Sequence, residues 1–302
     1  METTHNRKSN AGNLLKLLLK ITVTAVCIWY VSGKIDFTKA GEALKNADWF
    51  YLLLGLSTFI ISKVISAVRL NIYFKNISII LTQWDNIKLY WLGMFYNLFL
   101  PGSISGDAYK VILLTKRFRI AYKKTTAAIL LDRFSGLLGL GLILGAYSFF
   151  VFNETFYIIV LAAGSIFSII AFYFIISRFF KDFIPGFTST LILGILVQAI
   201  QVLCIYMIML ALHVPTHHYS DYIFLFLVSS VVSILPLTIG GLGIREVVFL
   251  EGSVYFGLVQ ETSVIISILF YLITLLTSAW GVYYVFRNPL NEKGPSDEPL
   301  IS

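Results

Sequence analysis

Charge is the scarcest property of this chain. Asp, Glu, Lys and Arg together make up 13% of its 302 residues, where a soluble globular protein carries about 25%. Apolar residue types make up 58%, and a soluble fold of this size needs polar cover that such a composition does not supply. A soluble enzyme, a nucleic-acid binder and a disordered chain are thereby excluded, although the net charge of +7 would in a soluble protein suggest nucleic acid. Cysteine is nearly absent as well. The two present, Cys27 and Cys204, sit inside apolar runs, which leaves them the role of small core residues and rules out a disulfide framework or a metal-spaced pair. Histidine is sparse: His213 and His217 are four residues apart, but Pro215 stands between them and breaks the helix a shared metal would need. There is no P-loop, no dinucleotide fingerprint and no H-E-x-x-H, so no cofactor, metal site or energising motif is expected.

Long apolar runs are what the chain does have. A spanning helix needs about 20 mostly apolar residues, and six stretches qualify, at about 14–32, 49–68, 126–152, 156–176, 188–212 and 262–286. Arg7, Lys8, Lys16 and Lys20 precede the run 21–31 in the manner of a signal peptide. No small-x-small cleavage site follows, and Lys16 and Lys20 have stems long enough to reach the interface, so the first helix is expected to be retained. Two further apolar regions are interrupted, 89–114 by Pro101-Gly102-Ser103-Ile104-Ser105-Gly106-Asp107 and 222–258 by Pro236 and the glycines Gly240, Gly241 and Gly243. Each flank is too short for an untilted span and fits a re-entrant hairpin.

The distribution of cations supports that reading. With a cytoplasmic N-terminus and hairpins that enter and leave on one side, fifteen Lys and Arg fall on inner segments and four on outer ones, a strong positive-inside bias. A full crossing at 89–114 would instead put Lys110, Lys116, Arg117, Arg119, Lys123 and Lys124 outside. The expected fold is an all-α polytopic membrane protein of about six spanning helices plus two re-entrant helical hairpins. It forms one integral membrane domain, with pseudo-repeats at about 14–152 and 156–287 in inverted topology and a short cytoplasmic tail at 288–302. The segment 100–110 aligns without gaps on 235–245, sharing the pattern L-P-x-[ST]-I-x-G-x-x-x-[KR]. Three spans and a hairpin repeated in opposite orientation is the plan of many transporters.

Broken helices at membrane depth are tolerated only where they are buried or line a wet cavity. Each hairpin is expected to start a helix just after its break, near Asp107 and near Ile244, and such N-termini attract anions. Lys110 and Arg245, one turn further on, would add a full positive charge suited to phosphate. Asp107 either caps its helix or, with Glu246, serves a cationic group or a coupling proton. Asp132 and Arg133 sit within an apolar run; Arg133 is placed to meet a phosphate or a hairpin carbonyl, and Asp132 to pair with a loop lysine. Lys63 receives no role, since its long stem would reach the interface. Gly136, Gly139, Gly141 and Gly145 read as helix-packing positions, and 110–124 as a basic surface on the inner leaflet.

The segment 96–110, Y-N-L-F-L-P-G-S-I-S-G-D-A-Y-K, resembles the F-N-x-x-L-P-G-x-x-G-G-D-x-x-[RK] signature of the lysylphosphatidylglycerol synthase transmembrane (flippase-like) family, with Ser105 where that pattern has Gly. Asp132-Arg133 resembles the family's acidic–Arg pair, and 236–246 resembles its second motif, P-x-x-x-G-G-x-G-x-[RK]-E. The resemblance implies a lipid translocase that moves an anionic or aminoacylated phospholipid, or a related lipid-linked head group, between leaflets. The head group would be held by Lys110, Arg133 and Arg245 with hairpin groups at Ser103, Gly106, Gly241 and Gly243. Asp107, Asp132 and Glu246 would serve coupling or cation contact, and Pro101, Gly102, Pro236 and Gly240 would form the breaks. In the family's best-known members a separate soluble domain transfers lysine; nothing like it occurs in these 302 residues, so an enzyme is not the first expectation. The alternatives are a membrane component of lipid modification such as phosphatidylglycerol lysyltransferase, working with a soluble partner, and a non-catalytic scaffold. The expected partners are membrane phospholipid, a soluble lipid-modifying enzyme or a second copy of the chain, with no nucleic acid. The expected location is the cell (inner) membrane, multi-pass, with both termini cytoplasmic.

Overall fold

The computed structural model describes residues 18–99, 105–152, 154–235, 238, 240–287 and 289–290. Pro101, Gly102, Ser103 and Pro236 lie outside the described residues. Among the described residues the secondary structure is helical throughout, with no strand. The helices are α1 (Leu18–Ser32), α2 (Phe37–Lys45), α3 (Trp49–Lys75), α4 (Gln83–Phe99), α5 (Ser105–Phe118), α6 (Tyr122–Val151), α7 (Thr155–Phe179), α8 (Phe187–Ala211), α9 (Tyr219–Val232), α10 (Ile244–Phe256) and α11 (Gln260–Ala279). Five of them, α3, α6, α7, α8 with the turn before it, and α11 with the turn after it, are long and apolar enough to cross a bilayer. A sixth crossing is available if α1 and α2, bent by 88° at their junction, count together. The chain is a multi-pass, all-helical membrane protein.

Local chemistry explains the boundaries. The Asp36 carboxylate accepts hydrogen bonds from the Thr38 and Lys39 amides and starts α2, a helix that the apolar-run reading does not anticipate because it is short. Asp48 starts α3 in the same way by accepting from the Phe50 amide at 2.8 Å. At α4 the capping is reciprocal: Thr82 Oγ1 accepts from the Asp85 amide at 3.1 Å and donates to Asp85 Oδ2 at 2.9 Å. Helix α3 runs to Lys75, two turns beyond the expected end at 68, because Leu70, Ile72, Tyr73 and Phe74 continue the apolar pattern after Arg69.

The two interrupted regions are helical hairpins. Their legs hold 17 and 14 residues in α4 and α5, and 14 and 13 in α9 and α10. At 1.5 Å per residue these measure about 20–25 Å, short of the roughly 30 Å hydrocarbon core. The legs run antiparallel. In the first hairpin Tyr96 packs edge-on against Tyr109 and Asn97 accepts from the Gly106 amide; in the second, Ser230 meets Arg245 and Phe224 meets Phe256. A Cβ on Gly106 would strike the Gly93 backbone, and one on Gly93 would strike the Lys110 stem. That glycine contact lets α5 lie directly on α4.

The hairpins do not match in detail. Helix α5 begins at Ser105, so Lys110 is its sixth residue, whereas α10 begins at Ile244 and Arg245 is its second. The expectation that both cations stand one turn into their helices is therefore corrected. The reason lies in Gly240, Gly241 and Gly243, with φ of 61°, 84° and 88°, which hold the chain in left-handed conformations until Ile244. Two buried clusters follow the same division. One gathers Leu70, Tyr73, Phe74, Leu89, Leu114 and Ile129 beside the first hairpin, and the other gathers Phe59, Ile205, Phe226, Phe249 and Phe270 beside the second. Helices α3 and α8 make the most extensive helix–helix contact and join the two halves.

Candidate functional site

A cavity of about 210 Å³ opens where the first hairpin meets α3 and α6, and its lining includes Arg69, Tyr90, Asn97, Asp107, Lys110, Asp132 and Arg133. Three cations and two carboxylates share this space. Asp107 stands at its centre. Lys110 Nζ lies 3.3 Å from Asp107 Oδ1, Arg133 Nε donates to Asp107 Oδ2, and Asn97 Nδ2 approaches Oδ1 at 3.5 Å. The Lys110 ammonium also sits 4.7 Å from the Tyr90 ring centroid, so a buried lysine is stabilised by one carboxylate and one aromatic face. Arg133 has a 41% exposed side chain against 5% for Lys110, which makes it the cation a ligand reaches first.

Behind this cluster lies a pair that the sequence reading missed. Arg69 on α3 donates from Nε to Asp132 Oδ1 at 2.8 Å, with both residues buried. Asp132 therefore pairs with a helix arginine rather than with a loop lysine. The guanidinium rests against Gly136, where a Cβ would come within 3.2 Å of it. The expected second span stops at residue 68, which leaves Arg69 just outside it, among the cations of the inner segments. The signal was present in the apolar residues that resume directly after it.

The other expected residues fall into place as follows. Asp107 is the third residue of α5, and at the start of that helix the Asn97 side chain accepts from the Gly106 amide at 2.9 Å. Arg133 meets the Asp107 carboxylate. Glu246 is buried, with Oε2 accepting from the Gly243 amide at 2.6 Å and Oε1 from Ser267 Oγ at 2.8 Å. It thus closes the start of α10 and ties it to α11. Arg245 lies in the second hairpin, within 3.4 Å of Ser230 Oγ and stacked 5.1 Å from the Phe270 ring centroid. The Arg245 backbone amide bonds Gly241 O, and a side chain on Gly241 would crowd both Arg245 Nε and Ser233. Gly240 sits in the turn against Leu98 of the first hairpin. The structure thus brings Asp107, Lys110, Asp132 and Arg133 into one cavity, while Arg245, Glu246, Gly241 and Gly243 gather at the second hairpin.

The fold and this cavity define a class: a helical multi-pass membrane protein with a charged pocket between a short helical hairpin and two long spans. The model of the lysylphosphatidylglycerol synthase TM region family matches residues 17–281, and the chain belongs to that family. It is also similar to UPF0104 membrane protein PH1989 of Pyrococcus horikoshii, with 27% identity over 121 residues. That similarity covers 39% of this chain and 35% of the archaeal protein, so the chain spans about a third of that relative's length.

Proposed function

We propose that this protein is a flippase-like lipid translocase of the cell membrane, moving an anionic or aminoacylated phospholipid, or a related lipid-linked head group, between leaflets. The observation that carries the reading is the cavity at the first hairpin, where Lys110 and Arg133 share Asp107 within a bundle of largely apolar helices. Buried ionisable residues at membrane depth are costly and mark substrate paths. Arg133 offers a fork of donors suited to a phosphate diester. As a head group enters, its phosphate takes Arg133 and Lys110 from Asp107, and the freed carboxylate accepts a cationic head-group amine where one is present. The recurring order of two crossings, a hairpin and a crossing supports an inverted repeat, in which rocking of one half against the other exposes the site to each leaflet in turn. Both termini are then cytoplasmic.

The family's name refers to lysylphosphatidylglycerol synthesis, and lipid modification with a soluble partner is the competing reading. Lipidomics of each leaflet, with and without the protein, separates the two. Translocation changes the sidedness of a lipid while its total amount stays constant; if the protein takes part in modification, a lipid species is missing in its absence, and that result would overturn the proposal.

A further inference from the structure

Lys63 is the residue that neither the cavity nor the family motifs account for. It is the fifteenth residue of the 27-residue α3, which places it at least about 18 Å along the helix from either end. A lysine stem is too short to carry its ammonium to the interface from there, so the expectation that Lys63 reaches the interface fails. Its ammonium lies 4.5 Å from the Phe59 ring centroid. Phe59 packs edge-on against Phe270 at 5.5 Å between centroids, and Phe270 is the ring on which Arg245 stacks. Two cations from different halves of the fold thus rest on one aromatic pair, with Lys63 in the field of Arg245.

Among the described residues no carboxylate lies within 4.0 Å of either cation. Where the first hairpin has Asp107, the aligned position in the second is Leu242, and neighbouring Glu246 is committed to Gly243 and Ser267. Ser230 engages one guanidinium nitrogen of half-buried Arg245, leaving other donors of its fork available. Aromatic faces hold cations in place but do not cancel their charge. Two half-buried like charges with no carboxylate in direct contact, and only the more distant field of Glu246 beside Arg245, raise the free energy of the empty protein, and an oxoanion between them would lower it.

We propose that Lys63 and Arg245 form an oxoanion seat near mid-membrane depth, which holds a phosphate group, lipid-borne or free. The seat deepens the translocase reading by naming where the phosphate rests, but anion binding there does not depend on transport. The test follows thermal unfolding of the full chain in detergent during titration with short-chain phosphatidylglycerol, short-chain diacylglycerol and inorganic phosphate. The expected result is a saturable rise in melting temperature with phosphatidylglycerol and none with diacylglycerol. Lys63→Gln and Arg245→Gln each raise the half-saturating concentration by about tenfold or more, whereas Lys63→Arg keeps it close to wild type. An equal saturable shift with inorganic phosphate supports the seat and identifies the free anion as its ligand. Unliganded Lys63→Gln melts about 2–4 °C above wild type, because an uncompensated charge is gone, which a merely structural lysine would not produce. Unchanged binding in both Gln variants, or an equal response to diacylglycerol, overturns the seat. A protein that binds but does not move lipid keeps the seat and loses the translocase reading; one that moves lipid with Lys63→Gln unaltered in binding does the reverse.

Discussion

The two hairpins share length, antiparallel packing and a sequence pattern, yet they treat charge in opposite ways. In the first, Asp107 is shared by Lys110 and Arg133, and Asp132 neutralises Arg69 one layer deeper. In the second, Arg245 and Lys63 rest on the two rings of an aromatic pair while Glu246 is spent on backbone and hydroxyl contacts. The difference teaches that a shared motif can keep its cation and its glycine and still change how that cation is compensated through one position, aspartate at 107 against leucine at 242. A compensated cluster can exchange partners with a ligand. An uncompensated one only gains by accepting an anion.

The comparison can be broken most severely at its deepest pair. Asp132→Ala leaves the Arg69 guanidinium buried without a counter-ion and should cost about 3–5 kcal/mol, measured by thermal unfolding in detergent, with the double variant Arg69→Met/Asp132→Leu recovering most of it. Asp107→Asn makes the first hairpin resemble the second: it should destabilise the unliganded protein by about 1–3 kcal/mol, and the loss should shrink when anionic lipid is added. Ser230→Asp makes the opposite change, placing a carboxylate beside Arg245; anionic-lipid affinity should fall by about tenfold while the unliganded protein holds or gains stability. Glu246→Gln is expected to have the smallest effect, about 1 kcal/mol in unfolding with anionic-lipid affinity holding or rising slightly, since Glu246 ties helices together and reaches Arg245 only through its field.

Much of this was legible in the sequence because composition and run length dominate membrane folds. The runs 126–152, 156–176 and 188–212 correspond to α6, α7 and α8 within a few residues, and the Pro and Gly interruptions marked both hairpins. What escaped were features that depend on which residue faces which. Helix α2 has nine residues, too few to register as an apolar run. Arg69 looked like a loop cation because its partner Asp132 lies 63 positions away, and no local pattern joins them. Lys63 was dismissed on the reach of its side chain, which only its depth within α3 overrules. The gap-free alignment of the two motifs concealed the four-residue delay in the start of α10, because left-handed glycines are invisible to a pattern match.

The account is tested most directly by lipid movement itself. The purified chain would be reconstituted into liposomes carrying fluorescent phosphatidylglycerol, with the label in each leaflet read by a membrane-impermeant quencher. The account predicts exchange between leaflets well above protein-free vesicles, slowed about tenfold or more in Lys110→Ala and in Arg245→Ala. Exchange at the protein-free rate, or exchange in which both variants keep the wild-type rate, would contradict it.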